Sequence, residues 1–153
     1  MTNSHVAEAL ARAAQTWAPD LEPAAAEMIH KFVRMMTVDG DPARPTSYEH
    51  YNPRNGTASY YRGIDDYMHS YIVDLIIRFV AGVQPQPDGT VIVNPLPTGL
   101  DWFELKDAPY QGHRIGVRWD AASGLTVSVD GEDAGFSPVL APLPIPVVSD
   151  TAF

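Results

Sequence analysis

The residues of this chain best suited to chemistry lie in one stretch between positions 47 and 56. There a carboxylate, Glu49, is surrounded by the aromatic, amide and basic side chains of Tyr48, Tyr51, Asn52 and Arg54. A carboxylate in such surroundings can act as a general base, which removes a proton from an attacking water or hydroxyl. We therefore take Glu49 as the candidate catalytic residue and its four neighbours as candidate substrate-binding residues.

Tyrosine is concentrated around this stretch. Six of the seven tyrosines lie between positions 48 and 71: Tyr48, Tyr51, Tyr60, Tyr61, Tyr67 and Tyr71. A tyrosine has an apolar ring face and a polar tip, and a sugar has C–H surface ringed by hydroxyls, so walls of aromatic and amide side chains suit carbohydrates. The alternative is that Glu49 is a solvated or capping residue and that Arg54 is a solvated loop arginine.

Composition excludes several other classes of function. The 153 residues suit one ordinary domain or two small ones, and the net charge of −9 argues against nucleic acid or anionic lipid as a partner. The absence of cysteine excludes disulfides, zinc-thiolate sites and cysteine nucleophiles. No metal-ligand spacing links the histidines, and we expect neither a metal nor another cofactor.

The sequence also lacks targeting signals. The polar residues Met1 to His5 do not resemble a secretion signal. The longest apolar stretch, Tyr71 to Val83, contains Asp74 and Arg78 and is shorter than the roughly 20 residues that span a bilayer. We expect a cytoplasmic protein with no membrane partner.

Three helices must position the candidate residues. Helical periodicity predicts a first helix over residues 6–17 with Ser4 as its cap, a second from Pro23 to Met36, and a third over 65–81 that ends at Gly82. Between the second and third helices, residues 37–63 contain repeated glycine and proline and no period, which predicts a long functional loop.

Beyond position 84 the apolar residues alternate with a period of two, which predicts strands. The alternating positions are Val91 and Val93, then Phe103 and Leu105, then Ile115, Val117 and Trp119, then Leu125, Val127 and Val129. The last residues contain several prolines and predict an extended tail packed along the sheet. We interpret Trp102 and Trp119, on alternating strands, as core residues. Helices first and strands second indicate an α+β fold, with a helical segment over 1–83 and a β segment over 84–153.

The order of motifs from position 48 onward resembles the C-terminal part of six-hairpin glycoside hydrolases, which are built on an (α/α)6 barrel. The group includes family 63 α-glucosidases, mannosylglycerate-hydrolase-like enzymes and trehalases. The motifs are Tyr48-Glu49-His50-Tyr51-Asn52-Pro53, Asn55-Gly56, Asp66-Tyr67-Met68-His69-Ser70, Asp74-Leu75-Ile76, Asn94-Pro95-Leu96-Pro97, Leu100-Asp101-Trp102-Phe103 and Tyr110-Gln111-Gly112-His113.

This resemblance implies specific roles. The helices would be the last ones of the barrel, followed by a small antiparallel β unit. Glu49 would be the general base of an inverting glycosidase, and His69, which matches a His-Ser pair of related enzymes, would line the site. The substrate would be a carbohydrate of unspecified linkage.

An inverting reaction also needs a general acid about 6.5–9.5 Å from the base. The resemblance places that acid upstream, in barrel helices that this sequence lacks, and the alternatives within the chain are Asp39, Asp41, Asp65 and Asp66. We expect the chain to be incomplete as a lone catalyst, with the missing barrel on another chain, or to self-associate through exposed apolar faces. The alternative is a carbohydrate-binding or interaction module without catalysis, or one subunit of a split glycosidase.

Overall fold

The computed structural model describes residues 2–38, 41–46, 48, 50–57 and 70–147. The chain divides into two compact units, Met1–Ile76 and Ile77–Phe153. The two long helices and a two-stranded antiparallel pair lie in the first, the two larger antiparallel sheets lie in the second, and the predicted α+β class is confirmed. The division at Ile77 precedes the boundary near Gln84 that the sequence indicated, because Ile77 packs against the β core.

The first unit contains two full helices, α1 (Thr2–Thr16) and α2 (Glu22–Met35), joined by a 3₁₀ turn at Pro19–Leu21. Each helix buries one stripe at helical spacing, which includes Ala7, Ala11 and Ala14 of α1 and Ala25, Ile29 and Phe32 of α2. Ser4 does not cap the first helix as predicted; it lies inside α1 and is buried. No helix among the described residues is long and apolar enough to cross a membrane.

The predicted third helix is present in its C-terminal half. The described part consists of α3 (Ile72–Leu75) and one π-helical turn (Ile76–Val80), and residues 58–69 lie outside the described part of the chain. Gly82 follows with a positive φ of 82°, and a Cβ there would lie 2.3 Å from the backbone nitrogen of Pro95. Only glycine meets both the conformation and the space at this position.

The predicted loop 37–63 is not free of secondary structure. It contains a hairpin of β1 (Thr37–Val38) and β2 (Asp41–Pro45), which pair antiparallel. The sequence gives little sign of these strands because β2 holds two prolines and only one apolar side chain besides them, so backbone pairing alone defines it.

The second unit contains two antiparallel sheets. The smaller has the order β3-β4-β9, with β3 at Val83–Pro85, β4 at Val91–Val93 and β9 at Leu143–Ile145. The larger has the order β5-β6-β7-β8 and is a simple meander. Its strands are β5 (Trp102–Tyr110), β6 (His113–Asp120), β7 (Gly124–Val129) and β8 (Glu132–Ser137).

The two sheets of this unit share one core. It includes nine buried aliphatic side chains from both sheets: Val83, Val91, Val93, Ile115, Val117, Leu125, Val127, Ile145 and Val147. In β4, β6 and β7 the alternation that predicted strands places the buried residues on the inner faces. The proline-rich tail supplies β9, which accommodates Pro144 at the edge of its sheet.

Candidate functional site

The candidate loop is attached to the C-terminal end of α2. The backbone N–H of Thr46 donates to the carbonyl of Met36 at 2.6 Å, and the phenol of Tyr51 donates to the sulfur of the same residue at 3.3 Å. A Cβ built on Gly56 would lie 3.5 Å from Cγ of Met35. Three points of the loop therefore lie against one helix end.

Tyr48 and Tyr51 form an aromatic pair within this loop. Their ring centroids are 6.5 Å apart at an interplanar angle of 65°, an edge-to-face arrangement. Burial raises the pKa of Tyr51 above its ordinary value, while a side-chain hydrogen bond with Thr46 opposes the shift. At neutral pH the phenol of Tyr51 is therefore a neutral group that packs and donates a hydrogen bond.

Asn52 and Arg54 lie together in a tight turn. The side-chain oxygen of Asn52 accepts the backbone N–H of Arg54 at 2.9 Å, and its backbone bonds to Gly56 and Thr57. The oxygen of the amide predicted to bind substrate is thus used to shape the turn. Both side chains are exposed, so the Asn52 NH₂ and the Arg54 guanidinium remain on the surface of the loop.

The structure brings four of the predicted site residues together as two neighbouring pairs, Tyr48 with Tyr51 and Asn52 with Arg54. Glu49 and His69 lie outside the described residues, and their roles stay predictions. Three of the alternative acids, Asp39, Asp65 and Asp66, also lie outside them.

The fourth alternative acid, Asp41, has a local structural role. Its carboxylate accepts the backbone N–H of Ala43 at 2.9 Å, the hydrogen bond of an Asx turn at the start of β2. The carboxylate is thus used to shape the start of this strand.

Sequence reasoning missed a polar cluster that joins α1 to the start of α3. The Glu8 carboxylate accepts hydrogen bonds from the Tyr71 phenol at 2.5 Å and from Arg12 at 2.8 Å, and the His5 ring lies edge-on to Tyr71. The spacing of four between Glu8 and Arg12 is readable from the sequence. Tyr71 is 63 residues away from Glu8, and no local pattern predicts that contact.

In the second unit, Trp119 agrees with its assignment to the core, but Trp102 does not. Trp119 packs against the buried cluster and its indole donates to the carbonyl of Leu100, whereas Trp102 is 68% exposed. The missed signal is the alternation of β5, because the period that turns Phe103 and Leu105 inward must turn Trp102 outward.

A second ionisable pair lies at the turn between β7 and β8. Nδ1 of His113 is 2.7 Å from a carboxylate oxygen of Asp130, whose other oxygen accepts the backbone N–H of Arg114. These two hydrogen bonds hold the pKa of Asp130 below its ordinary value. Among the described residues, no group of three or more His, Asp or Glu side chains could hold a metal ion.

Comparison with known proteins gives one structural likeness. No family model matches the sequence, and no curated protein matches it. A solved structure described as "Sialidase" superposes with a TM-score of 0.65 at 27% sequence identity, over 81% of this chain. This chain spans 12% of the length of that protein. The fold is thus similar to a small part of a glycosidase-type protein, and the six-hairpin family of the sequence resemblance stays a prediction.

Proposed function

We propose that this chain is the base-bearing portion of a glycoside hydrolase. The observation that carries the proposal is the likeness at 27% identity to part of a protein described as a sialidase, an enzyme name that denotes cleavage of glycosidic bonds. The Tyr48–Tyr51 pair supports it as well, because an aromatic wall beside exposed amide and guanidinium groups suits the mixed surface of a sugar.

In the proposed mechanism Glu49 is the general base of an inverting reaction. It takes a proton from the water that attacks the anomeric carbon, and the leaving oxygen receives a proton from a carboxylic acid on the opposite side of the sugar. That acid is contributed from outside the described residues, by another chain or another part of a longer enzyme. The chain alone therefore activates water without assisting the leaving group.

The experiment uses substrates that need no acid. A glycosyl fluoride departs as fluoride ion without protonation, so hydrolysis of a panel of α- and β-glycosyl fluorides tests the base alone. We expect slow fluoride release that Glu49→Gln abolishes. Asp20→Asn, which alters an exposed carboxylate outside the loop, is the matched control and should leave the rate unchanged.

Two further measurements distinguish catalysis by Glu49 from carbohydrate binding without turnover. Azide added to Glu49→Ala should restore turnover and give a glycosyl azide of inverted configuration, because the small anion replaces the activated water. Calorimetry with the corresponding free sugars detects binding without turnover. Binding with no fluoride release in the whole panel contradicts the catalytic proposal and favours a carbohydrate-binding module, and silence in both assays contradicts both.

A further inference from the structure

The outer face of the four-stranded sheet carries two exposed aromatic side chains that have no role in the proposed catalytic function. Trp102 on β5 is 68% exposed and Phe136 on β8 is 59% exposed. Phe136 is paired with Thr126, and Trp102 is two residues from Glu104 on the same strand. Thr126 and Glu104 lie on the face of the sheet opposite the buried core, so both aromatic rings project from that face. Burying large aromatic rings is favourable, so two rings left exposed on one face indicate a contact surface.

The Phe136 ring reaches from its own row of the sheet into the row of Trp102. Trp102 is paired with Asp120, and Asp120 is paired with Gly124 on the next strand. The Phe136 ring reaches over Gly124, because a Cβ built there would lie 2.9 Å from Cε2 of that ring. Two strand spacings separate Trp102 from Gly124, which is about 10 Å. A linked pyranose unit is about half that long, so the separation suits two sugar rings of one chain with a third ring between them.

The floor beside this row is polar and open. The next row across the sheet consists of Glu104, Arg118 and Thr126. The third row contains Gly116 paired with Ser128, whose small side chains leave open space above the sheet. Together these rows line a groove of about 310 Å³. Its carboxylate, guanidinium and hydroxyl groups provide both acceptors and donors for hydroxyl groups.

The charges of the groove oppose an anionic ligand. Its lining contains three carboxylates and two cations: Glu104, Asp107 and Asp133, and Lys106 and Arg118. The ammonium of Lys106 lies 3.2 Å from the Glu104 carboxylate, and Arg118 lies 3.9 Å from Asp120 beside the groove. Since the cations already face carboxylates of the protein, a polar ligand without net charge complements the face best.

We propose that this face, defined by Trp102, Glu104, Arg118, Thr126 and Phe136, binds a neutral saccharide chain of three or more sugar units. The C–H faces of two sugar rings stack on the two aromatic rings, and the hydroxyls of the chain bond to the polar row beside them. This binding surface belongs entirely to the second unit and goes beyond the proposed catalytic function of Glu49. It holds a polysaccharide without cleaving it.

Affinity electrophoresis of the full chain tests the proposal. Native gels are cast with neutral polysaccharides, namely starch, mannan, galactomannan, β-glucan and xylan, and with acidic ones, polysialic acid and alginate. We expect at least one neutral polysaccharide to retard the protein and both acidic ones to leave its mobility unchanged. Trp102→Ala and Phe136→Ala should each weaken the retardation about tenfold, since each removes one stacking partner.

Matched controls come from exposed apolar residues elsewhere. Trp17→Ala, at a residue 76% exposed just after α1, and Val139→Ala, at a residue 58% exposed after β8, should retain wild-type retardation. Near-ultraviolet circular dichroism of Trp119 checks that each variant keeps its core, and Trp102→Phe should recover part of the binding.

Four results overturn the proposal. They are no retardation by any neutral polymer, preference for the acidic polymers, equal retardation of the wild type and both aromatic variants, and self-association that Trp102→Ala abolishes, which makes the face a contact between copies of this chain. Retardation that survives both aromatic variants but is lost in Tyr48→Ala assigns saccharide binding to the loop and leaves the proposed function intact.

Discussion

The loop that carries Tyr48 and Tyr51 and the outer face that carries Trp102 and Phe136 present the same kinds of side chain in different mechanical settings. The loop lies against one helix end through Met35 and Met36. The sheet face is fixed by the register of four strands and is backed by a core of nine buried aliphatic residues. Aromatic side chains on a sheet hold their spacing because the backbone sets it, whereas those on a loop depend on a few individual contacts.

Because of this difference, substitutions should have different structural effects in the two regions. A change that disturbs the packing between the two sheets of the second unit should alter every row of the sheet face at once, since the strands share one core. A change in the loop should act on one contact and leave the helices beneath it intact. Substitutions placed in each region therefore test whether the two regions respond separately.

The largest effect should come from Gly82→Ala. The new Cβ would lie 2.3 Å from the nitrogen of Pro95 and 2.5 Å from the carbonyl carbon of Asn94, and φ is +82°. Because both neighbours are backbone atoms that cannot rotate away, we expect destabilisation of the second unit by about 4 kcal/mol. Hydrogen exchange followed by peptide should show loss of protection in β3, β4 and β9, with α2 unchanged.

Gly112→Ala is the matched control for this variant. Gly112 has a similar φ of +89°, but a Cβ there meets nothing within 4 Å. It should cost about 1 kcal/mol, the conformational part alone. Equal losses for the two variants would contradict the steric explanation, and loss of protection in α2 would show that the two regions do not respond separately.

The sheet and the loop also differ in how well the sequence predicts them. The inner positions of β6 and β7 alternate in apolar residues, and both strands are predicted correctly. Strand β8 was missed because its inner positions are Gly135 and Ser137. A Cβ on Gly135 would lie 2.7 Å from the Ile145 side chain of β9. Because β9 occupies this space, an inner position of β8 has no apolar side chain, and the alternating pattern is absent from its sequence.

The candidate site is less predictable than the core. The pairing of Tyr48 with Tyr51 follows from their closeness in sequence, but the contact of Tyr51 with Met36 depends on how the chain returns to α2. The contact of Tyr71 with Glu8 depends in the same way on long-range folding. Periodicity reports which face of an element is buried, and it carries no information on which distant side chains meet.

A smaller, pH-dependent effect should follow from Asp130→Asn at the turn beside the sheet face. The hydrogen bonds from His113 and from the backbone of Arg114 hold the pKa of Asp130 below its ordinary value. A lowered folded-state pKa adds stability that is present above the unfolded pKa, about 3.9, and is lost as pH falls through the folded pKa. We expect the melting temperature of the wild type to fall more steeply below pH 4 than that of Asp130→Asn.

The control for this measurement is Asp133→Asn, which alters an exposed carboxylate on the adjacent strand. Its acid profile should follow the wild type. Asp88, whose pKa is lowered by hydrogen bonds with Thr90, contributes in the same pH window in all three proteins, so only differences between profiles are interpreted. Identical profiles for the wild type and Asp130→Asn would contradict a stabilising role for the His113–Asp130 contact.

The smallest effect should come from Tyr51→Phe in the loop. The variant removes the hydrogen bond to the Met36 sulfur, a weak acceptor, and the one with Thr46, and it keeps the ring that packs on Tyr48, so we expect a stability loss of about 1 kcal/mol or less. The raised pKa of Tyr51 gives a second readout, because its phenol should ionise above the ordinary tyrosine value of about 10. Absorbance titration should lose this late step in Tyr51→Phe. A stability loss as large as that of Gly82→Ala would mean that one loop contact supports the helical unit as a whole, and the contrast between a lightly attached loop and a core-backed sheet would fail.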